Sequence, residues 1–194
     1  MNNDILSSLR PAAMMTLLFA LLLGLAYPLA ITGLGQALFP SQANGSLVLE
    51  NGRAIGSNVV GQAFTSDRYF HTRPSAAGQG YDGLASSGSN LGPASQALHD
   101  RVKADLDTSA TPGRPVPPDL VTASASGLDP HVSPEAAFYQ VDRIARARRL
   151  DAGVVRNLVA ETVERPVLGI LGEPRVNLLV LNRRLDAIAA RTAR

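Results

Sequence analysis

Cysteine and tryptophan are absent from the 194-residue chain, and lysine occurs once, as Lys103. Without cysteine there is no disulfide scaffold, no thiolate nucleophile, and no cysteine-held zinc or iron–sulfur group. The compartment stays open, because a cysteine-free chain survives in oxidising or reducing surroundings. Lys103 sits in Arg-Val-Lys-Ala, which excludes a GxxxxGK[ST] phosphate loop, a Ser-x-x-Lys dyad and an Asp-Lys-Thr-Gly phosphorylation loop. The chain energises nothing by itself. A net charge of +2, from 18 basic and 16 acidic groups, is no footprint for nucleic acid.

Charge is also missing locally. Only Asp4 and Arg10 precede Glu50, so residues 11–49 form a desert ahead of a domain of ordinary charge. Pro11 to Leu34 reads as 24 uncharged residues. At ~1.5 Å per residue that crosses a hydrocarbon core of ~30 Å. Tyr27 and Phe39 fall toward the far interface, where aromatics gather. Secretory signals carry shorter apolar runs, ~7–15 residues, which favours a retained anchor. Arg10 on the near side, with no positive charge until Arg53, leaves the rest outside the cytoplasm by the positive-inside rule. The expected layout is a cytoplasmic amino terminus (1–10), a transmembrane helix (11–38) and an extracytoplasmic domain (39–194). Ala12, Thr16, Ala20 and Gly24 recur every fourth position, a shallow stripe where another helix can approach. Pro28 is expected to bend the span. One helix without an intramembrane charge forms no pore and relays no ions.

The domain reads as α+β, short strands first and mostly helices afterwards. Ser46–Leu49 and Asn58–Val60 are short apolar runs bounded by Gly and Asn, the pattern of strands. Ala94, Leu98, Val102 and Leu106 at spacing four predict a helix from Pro93 to about Asp107, capped near Asn90 or Gly92. Residues 108–119, with four prolines, read as a connector. Ser133-Pro134-Glu135 starts a helix running to about Arg149, since a hydroxyl, a proline and an acid each suit that end. A second helix runs from Asp151 to just before Pro166. Gly172-Glu173-Pro174 is expected to start the last, with Leu178, Leu181, Leu185 and Ile188 on one face.

Several motifs point to chemistry less well than their letters suggest. Residues 78–83 spell GxGxxG, but Ser and Gly follow where a dinucleotide site needs a helix. His71, His99 and His131 share no metal-ligand spacing. Asp129, His131, Ser124 and Ser126 raise a hydrolase triad, yet triads draw on separate elements and no GxSxG elbow exists. The arginines between Asp142 and Arg149 run round much of a helix and read as a solvated face.

A set of ordered motifs says more. Gly61-Gln62-x-Phe64 is followed by Tyr69-Phe70-x-x-Arg73-Pro74-Ser75 and the loop from Ser87 to Pro93. Then come the block from Ser124 to Pro134, Gln140-Val141-x-Arg143-Ile144-Ala145-x-Ala147-Arg148, and the run from Gly172 to Leu178. Together with the single amino-terminal span, these resemble the KdpC family, the C subunits of the Kdp potassium-importing ATPases. The resemblance covers the whole chain. It implies an accessory subunit of a four-component inner-membrane complex, beside a channel-like subunit, a P-type ATPase subunit and a small single-span subunit. It implies a role in assembly and as a catalytic chaperone raising ATP affinity, with ATP handled through the complex and no cofactor of its own. Expected partner contacts are Ala12, Thr16, Ala20, Gly24, Arg73, Ser89, Asn90, Asp129 and His131. Gln62 and Gln140 are the candidates for offering side-chain amides to a nucleotide. Carboxylates such as Asp82 and Asp129 are candidates for lining a K⁺ entrance. The alternatives are an anchored periplasmic hydrolase, which would act without partners, and a secreted binding module, which would mature near Asn44.

Overall fold

The computed structural model describes the backbone of residues 2–192 and the side chains of residues 7–188. The charge-free run forms two helices, α1 (Asn2–Leu21) and α2 (Tyr27–Leu38), joined by one π-helical turn, Leu22–Ala26. Pro28 accounts for the turn. Its ring has no N–H to give and crowds the carbonyl four residues back. The ladder therefore runs wide just before it, with the Tyr27 N–H donating to the Leu22 carbonyl. The irregularity expected at Pro28 thus lies on its amino-terminal side. Ser7–Leu38 is long and apolar enough to cross a membrane, with a mean hydropathy of 2.2 and no buried side chain. A short α3 (Pro40–Ala43) follows, and the Asn44 and Gln36 side-chain amides exchange hydrogen bonds of 3.0 and 3.3 Å.

Residues from Val48 onward form a second compact unit. It opens with a hairpin of β1 (Leu47–Glu50) and β2 (Arg53–Ser57). Asn51 and Gly52 between them both take positive φ, 50° and 77°, the conformation a two-residue hairpin turn demands. The strand expected at Asn58–Val60 is a turn instead: the Ser57 hydroxyl accepts from Val59 N–H, and only an isolated Ser57–Val60 bridge forms. Residues 61–95 carry no helix or strand.

α4 (Gln96–Ser109) begins three residues later than its apolar spacing suggested, with Ser95 rather than Asn90 or Gly92 at the cap position. None of its residues is fully buried. The helix expected from Ser133 to Arg149 is two: α5 (Pro134–Tyr139) and α6 (Val141–Arg148), broken at Gln140. Ser133 caps α5 as expected, accepting from the Ala136 N–H at 3.2 Å. Arg149 ends α6 in the left-handed region at φ 56°. Asp151 then caps α7 (Ala152–Thr162) through the N–H groups of Gly153 and Val154.

The last helix, α8 (Leu178–Thr192), does not start at Gly172-Glu173-Pro174. A strand intervenes. β5 (Arg175–Asn177) lies between β3 (His131–Val132) and β4 (Val163–Glu164), antiparallel to both, with Val176 opposite Val132 and Val163. Pairing decides it: Val176 is buried between Val132 and Val163, while Arg175 stays exposed opposite Glu164. The Asn177 carboxamide oxygen then accepts from Val180 N–H and caps α8. Val176, Leu178, Leu181 and Leu185 join Val141, Ile144, Val155, Val159 and Phe70 in one core. Each such side chain contributes about 1.5–3 kcal/mol on burial.

Candidate functional site

Segments far apart in sequence are drawn into one surface by small residues. The Gly61 N–H donates to the Leu128 carbonyl at 2.7 Å, and a Cβ at Gly61 would lie 2.6 Å from the Asp129 carbonyl oxygen. Gly127 takes φ +67°, and a Cβ there would meet the Ala77 nitrogen at 2.6 Å and the Ser87 oxygen at 2.7 Å. Only glycine fits either contact. Around them the Ser75 hydroxyl donates to the Gly127 carbonyl (2.6 Å) and accepts from Tyr81 N–H (2.8 Å). Ser87 N–H and the Ser86 hydroxyl both donate to the Ser126 carbonyl at 3.0 Å. The Tyr81 hydroxyl bonds the Arg73 carbonyl and the Thr72 hydroxyl. The loops 61–92 and 124–131 are therefore one tied platform.

Three expected contact residues meet on it. The Arg73 guanidinium lies 3.3 Å from Asp129 Oδ2 and also donates to the Thr122 carbonyl. Asp129 Oδ1 accepts from His131 N–H at 2.9 Å and lies 3.4 Å from His131 Nδ1. Burial alone would raise the Asp129 carboxyl. The hydrogen bonds from His131 and the charges of His131 and Arg73 outweigh it and hold the group below the usual carboxylate range. Beside this trio is an open cavity of about 400 Å³, lined also by Asp119, Glu173 and Arg175. Arginines and carboxylates line it together, and Asp119 ties its backbone by accepting from Ser133 N–H at 2.6 Å. Such a surface can recognise a polar, charge-patterned partner.

It is a poor nucleophilic centre. Among the described residues no serine hydroxyl is hydrogen-bonded to His131: Ser133 caps α5, Ser126 accepts from Leu128 N–H, and Ser124 is buried. Nor do the described residues hold a group of His, Asp or Glu side chains fit for a metal ion.

The other expected residues lie elsewhere. Ser89 and Asn90 share the loop after Ser87. Asn90 is exposed in the left-handed region, and neither residue is bonded to the Arg73–Asp129–His131 group. Asp82 is exposed and accepts from Leu84 N–H; it does not line the Asp129 cavity. Ala12, Thr16 and Ala20 lie along α1 and Gly24 in the π turn, all exposed, with open space around Gly24. The Gln62 amide donates to the Ile55 carbonyl at 2.9 Å and packs against Gly56. Gln140 is buried and saturated. Its oxygen accepts from His71 N–H and Arg143, both at 2.7 Å, while its nitrogen donates to the His71 and Ala136 carbonyls.

A second cavity of about 250 Å³ adjoins Gln140, lined by His71, Arg114, Tyr139 and Arg143 among others. Burial, with Arg143 adding to it, lowers the His71 pKa.

Sequence reasoning missed what holds the 67–71 strip. The Asn182 carboxamide accepts from Phe70 N–H (2.9 Å) and donates to its carbonyl (3.1 Å). Arg143 donates to the Asp67 and Tyr69 carbonyls, and Arg148 to that of Arg68. Arg148 is paired with Asp186 at 2.7 Å and lies 4.8 Å over the Tyr69 ring. These two arginines of α6 are thus inward-facing clamps, which corrects their assignment to a solvated face. The only signal was the Tyr-Phe pair at 69–70, an aromatic strip that needs something to lie on.

Residues 9–187 match the family model described as KdpC: K+-transporting ATPase, c chain. A relative from Acidobacterium capsulatum is 52% identical over 181 residues, covering 93% of this chain and 98% of its own. One from Methylobacterium nodulans is 52% identical over 200 residues, covering 96% and 100%. A Caulobacter vibrioides relative is 52% identical over 185 residues, covering 94% of both. All three bear the name potassium-transporting ATPase KdpC subunit. The likeness spans the apolar amino-terminal helix, the tied platform and the carboxyl-terminal helices alike, and the chain belongs to the KdpC family, the c chains of K⁺-transporting ATPases.

Proposed function

We propose that the chain is an accessory subunit of an ATP-driven potassium importer and performs no catalysis itself. The relatives' shared name supplies the transporter. The observation that carries the accessory role is the platform: a rigid, charge-paired surface centred on Arg73, Asp129 and His131, without an assembled nucleophile and base. In this reading the apolar helix Ser7–Leu38 anchors the chain in the inner membrane, and the positive-inside rule puts the amino terminus inside and residues 39–194 on the periplasmic side. There the platform docks on the channel-like subunit, beside the ATPase subunit and a small single-span subunit. The span contributes its face of Ala12, Thr16, Ala20 and Gly24 to the same assembly.

ATP is bound and hydrolysed by the partner. A periplasmic domain does not reach cytoplasmic nucleotide, so any rise in ATP affinity passes through the membrane parts as a coupling free energy. Whatever tightens this chain on its partners when ATP is bound must tighten ATP equally when this chain is bound. Gln62 and Gln140 act in this scheme through the fold.

Purification from membranes in mild detergent tests the reading. Channel and ATPase subunits should come with the chain, and an Arg73→Gln, Asp129→Asn double variant should release them while the domain stays folded. A lone monomer would overturn the proposal. A reporter fused after Arg194 should be active only outside the cytoplasm.

A further inference from the structure

β4 and β5 are joined by residues 165–174, and the tip of this connection is aliphatic. Val167, Leu168, Ile170 and Leu171 are 66%, 84%, 81% and 59% exposed, with only Gly169 among them. Scattered exposed aliphatics are ordinary, but four on one short projection are not. The tip is also built. Val167 and Leu171 exchange hydrogen bonds of 3.0 Å in both directions, Gly169 N–H donates to the Pro166 carbonyl, and Ile170 N–H to that of Val167. Leu168 and Gly169 take the left-handed backbone that closes so tight a turn.

Three features point to a lipid surface as the occupant. First, four of the five N–H groups from Val167 to Leu171 donate within the hairpin, which leaves that of Leu168 for the headgroup layer. Hydrocarbon satisfies no open amide, so this internal pairing lowers the cost of approaching the acyl boundary. Second, the tip is purely aliphatic. Protein–protein anchors favour Trp, Tyr and Arg, and Leu and Val are under-represented there. Third, Arg165 stands exposed at the neck with no ion pair among the described residues, while Arg175 is paired with Glu164 at 2.9 Å. A free guanidinium next to an apolar tip suits a lipid phosphate. The domain is also tethered: β1 opens at Leu47 and the candidate span ends at Leu38, so even weak insertion into the bilayer that holds the span acts at high effective concentration.

We propose that the 165–174 hairpin is a lipid-inserting tip. Val167, Leu168, Ile170 and Leu171 enter the headgroup–acyl boundary of the bilayer that holds the span, and Arg165 pairs with lipid phosphate. The inference rests on the membrane-anchored reading above.

The absence of tryptophan makes the test clean. The full chain carrying Leu168→Trp is reconstituted in vesicles of phosphatidylcholine and phosphatidylglycerol. The expected result is blue-shifted emission, quenched several-fold more by acyl-brominated lipid than in a Leu84→Trp control, and shielded from iodide on both sides. Adding Arg165→Glu should reduce that quenching. Iodide access equal to the control, with indifference to brominated lipid, would overturn the proposal. So would shielding from both quenchers, which would mean that protein covers the tip. A Leu22→Trp chain reports the span independently. If that residue is not quenched by brominated lipid, the anchored reading has failed and takes the proposal with it. If it is quenched while the tip is not, only the hairpin proposal falls.

Discussion

Replacing Gln140 with methionine keeps the volume at the α5–α6 break and deletes every hydrogen bond the amide makes. His71 loses a partner for its N–H (2.7 Å) and for its carbonyl (3.1 Å), and Arg143 loses one at 2.7 Å. The buried Ala136 carbonyl loses its bond from the amide nitrogen as well. A buried polar group left unpaired costs about 1–3 kcal/mol. His71 and Arg143 are only half-buried, so water repairs part of the deficit, and the net loss is about 3 kcal/mol. In a domain of this size that lowers the melting temperature by about 10 °C. Gln140→Glu keeps both acceptor bonds and gains a charge opposite Arg143, so about half of the loss should return. The assay is thermal unfolding of the full chain in mild detergent, followed by circular dichroism, with the apolar span as a steady helical background. Melting of the methionine variant within about 2 °C of the parent would refute the clamp.

Other outcomes follow from the same geometry. Gly127→Ala forces a Cβ against two backbone atoms at positive φ, at a cost on the order of 3 kcal/mol, and limited proteolysis of the 74–92 loop should speed up accordingly. Asp151→Ala removes the acceptor for Gly153 and Val154 N–H and should lower stability by about 1 kcal/mol in urea titration. His71 has a lowered pKa when folded, so the unfolded chain takes up its proton first on acidification. Its contribution is whole above the ordinary value of 6.5 and is lost as pH falls from there toward the folded value. Melting temperatures should therefore drop through that window, and His71→Gln should flatten the slope. A His71→Gln profile as steep as the parent's would contradict the assignment.

How far the sequence could be read depended on the range of each interaction. Ser133 and Asp151 caps, the start of α7 and the charge-free span are decided within a few residues, and each lies where its local signals put it, whereas α7 ends at Thr162, short of Pro166, because Val163 and Glu164 pair as β4. The hairpin turn at Asn51-Gly52 went unread, although its letters suit such a turn, because the apolar runs drew the second strand to 58–60 in place of β2. Failure came where tertiary pairing overrode local preference. Gly172-Glu173-Pro174 has the letters of a helix start, but Val176 is needed between β3 and β4, so the helix waits for Asn177. What looks like one helix breaks at Gln140, whose N–H turns to the Ala137 carbonyl while its side chain holds His71. Arg143 and Arg148 read as solvated because their acceptors are main-chain carbonyls, which have no letter in a sequence. The platform was legible as motifs and illegible as a surface. Gly61 and Gly127 matter through contacts with Asp129, Ala77 and Ser87, and no spacing rule anticipates them.

The double grip on Phe70 and His71 imposes a timetable on synthesis. Phe70 and His71 emerge early, yet their partners Asn182 and Gln140 follow 112 and 69 residues later. Contacts of such separation close slowly. Until α6 and then α8 have been made, the 67–71 strip lacks first one hold and then the other, and its peptide groups stay open to water and to proteases. The early half of the domain is thus hostage to the last helix, and a truncation removing α8 should leave a chain whose 67–71 strip never settles.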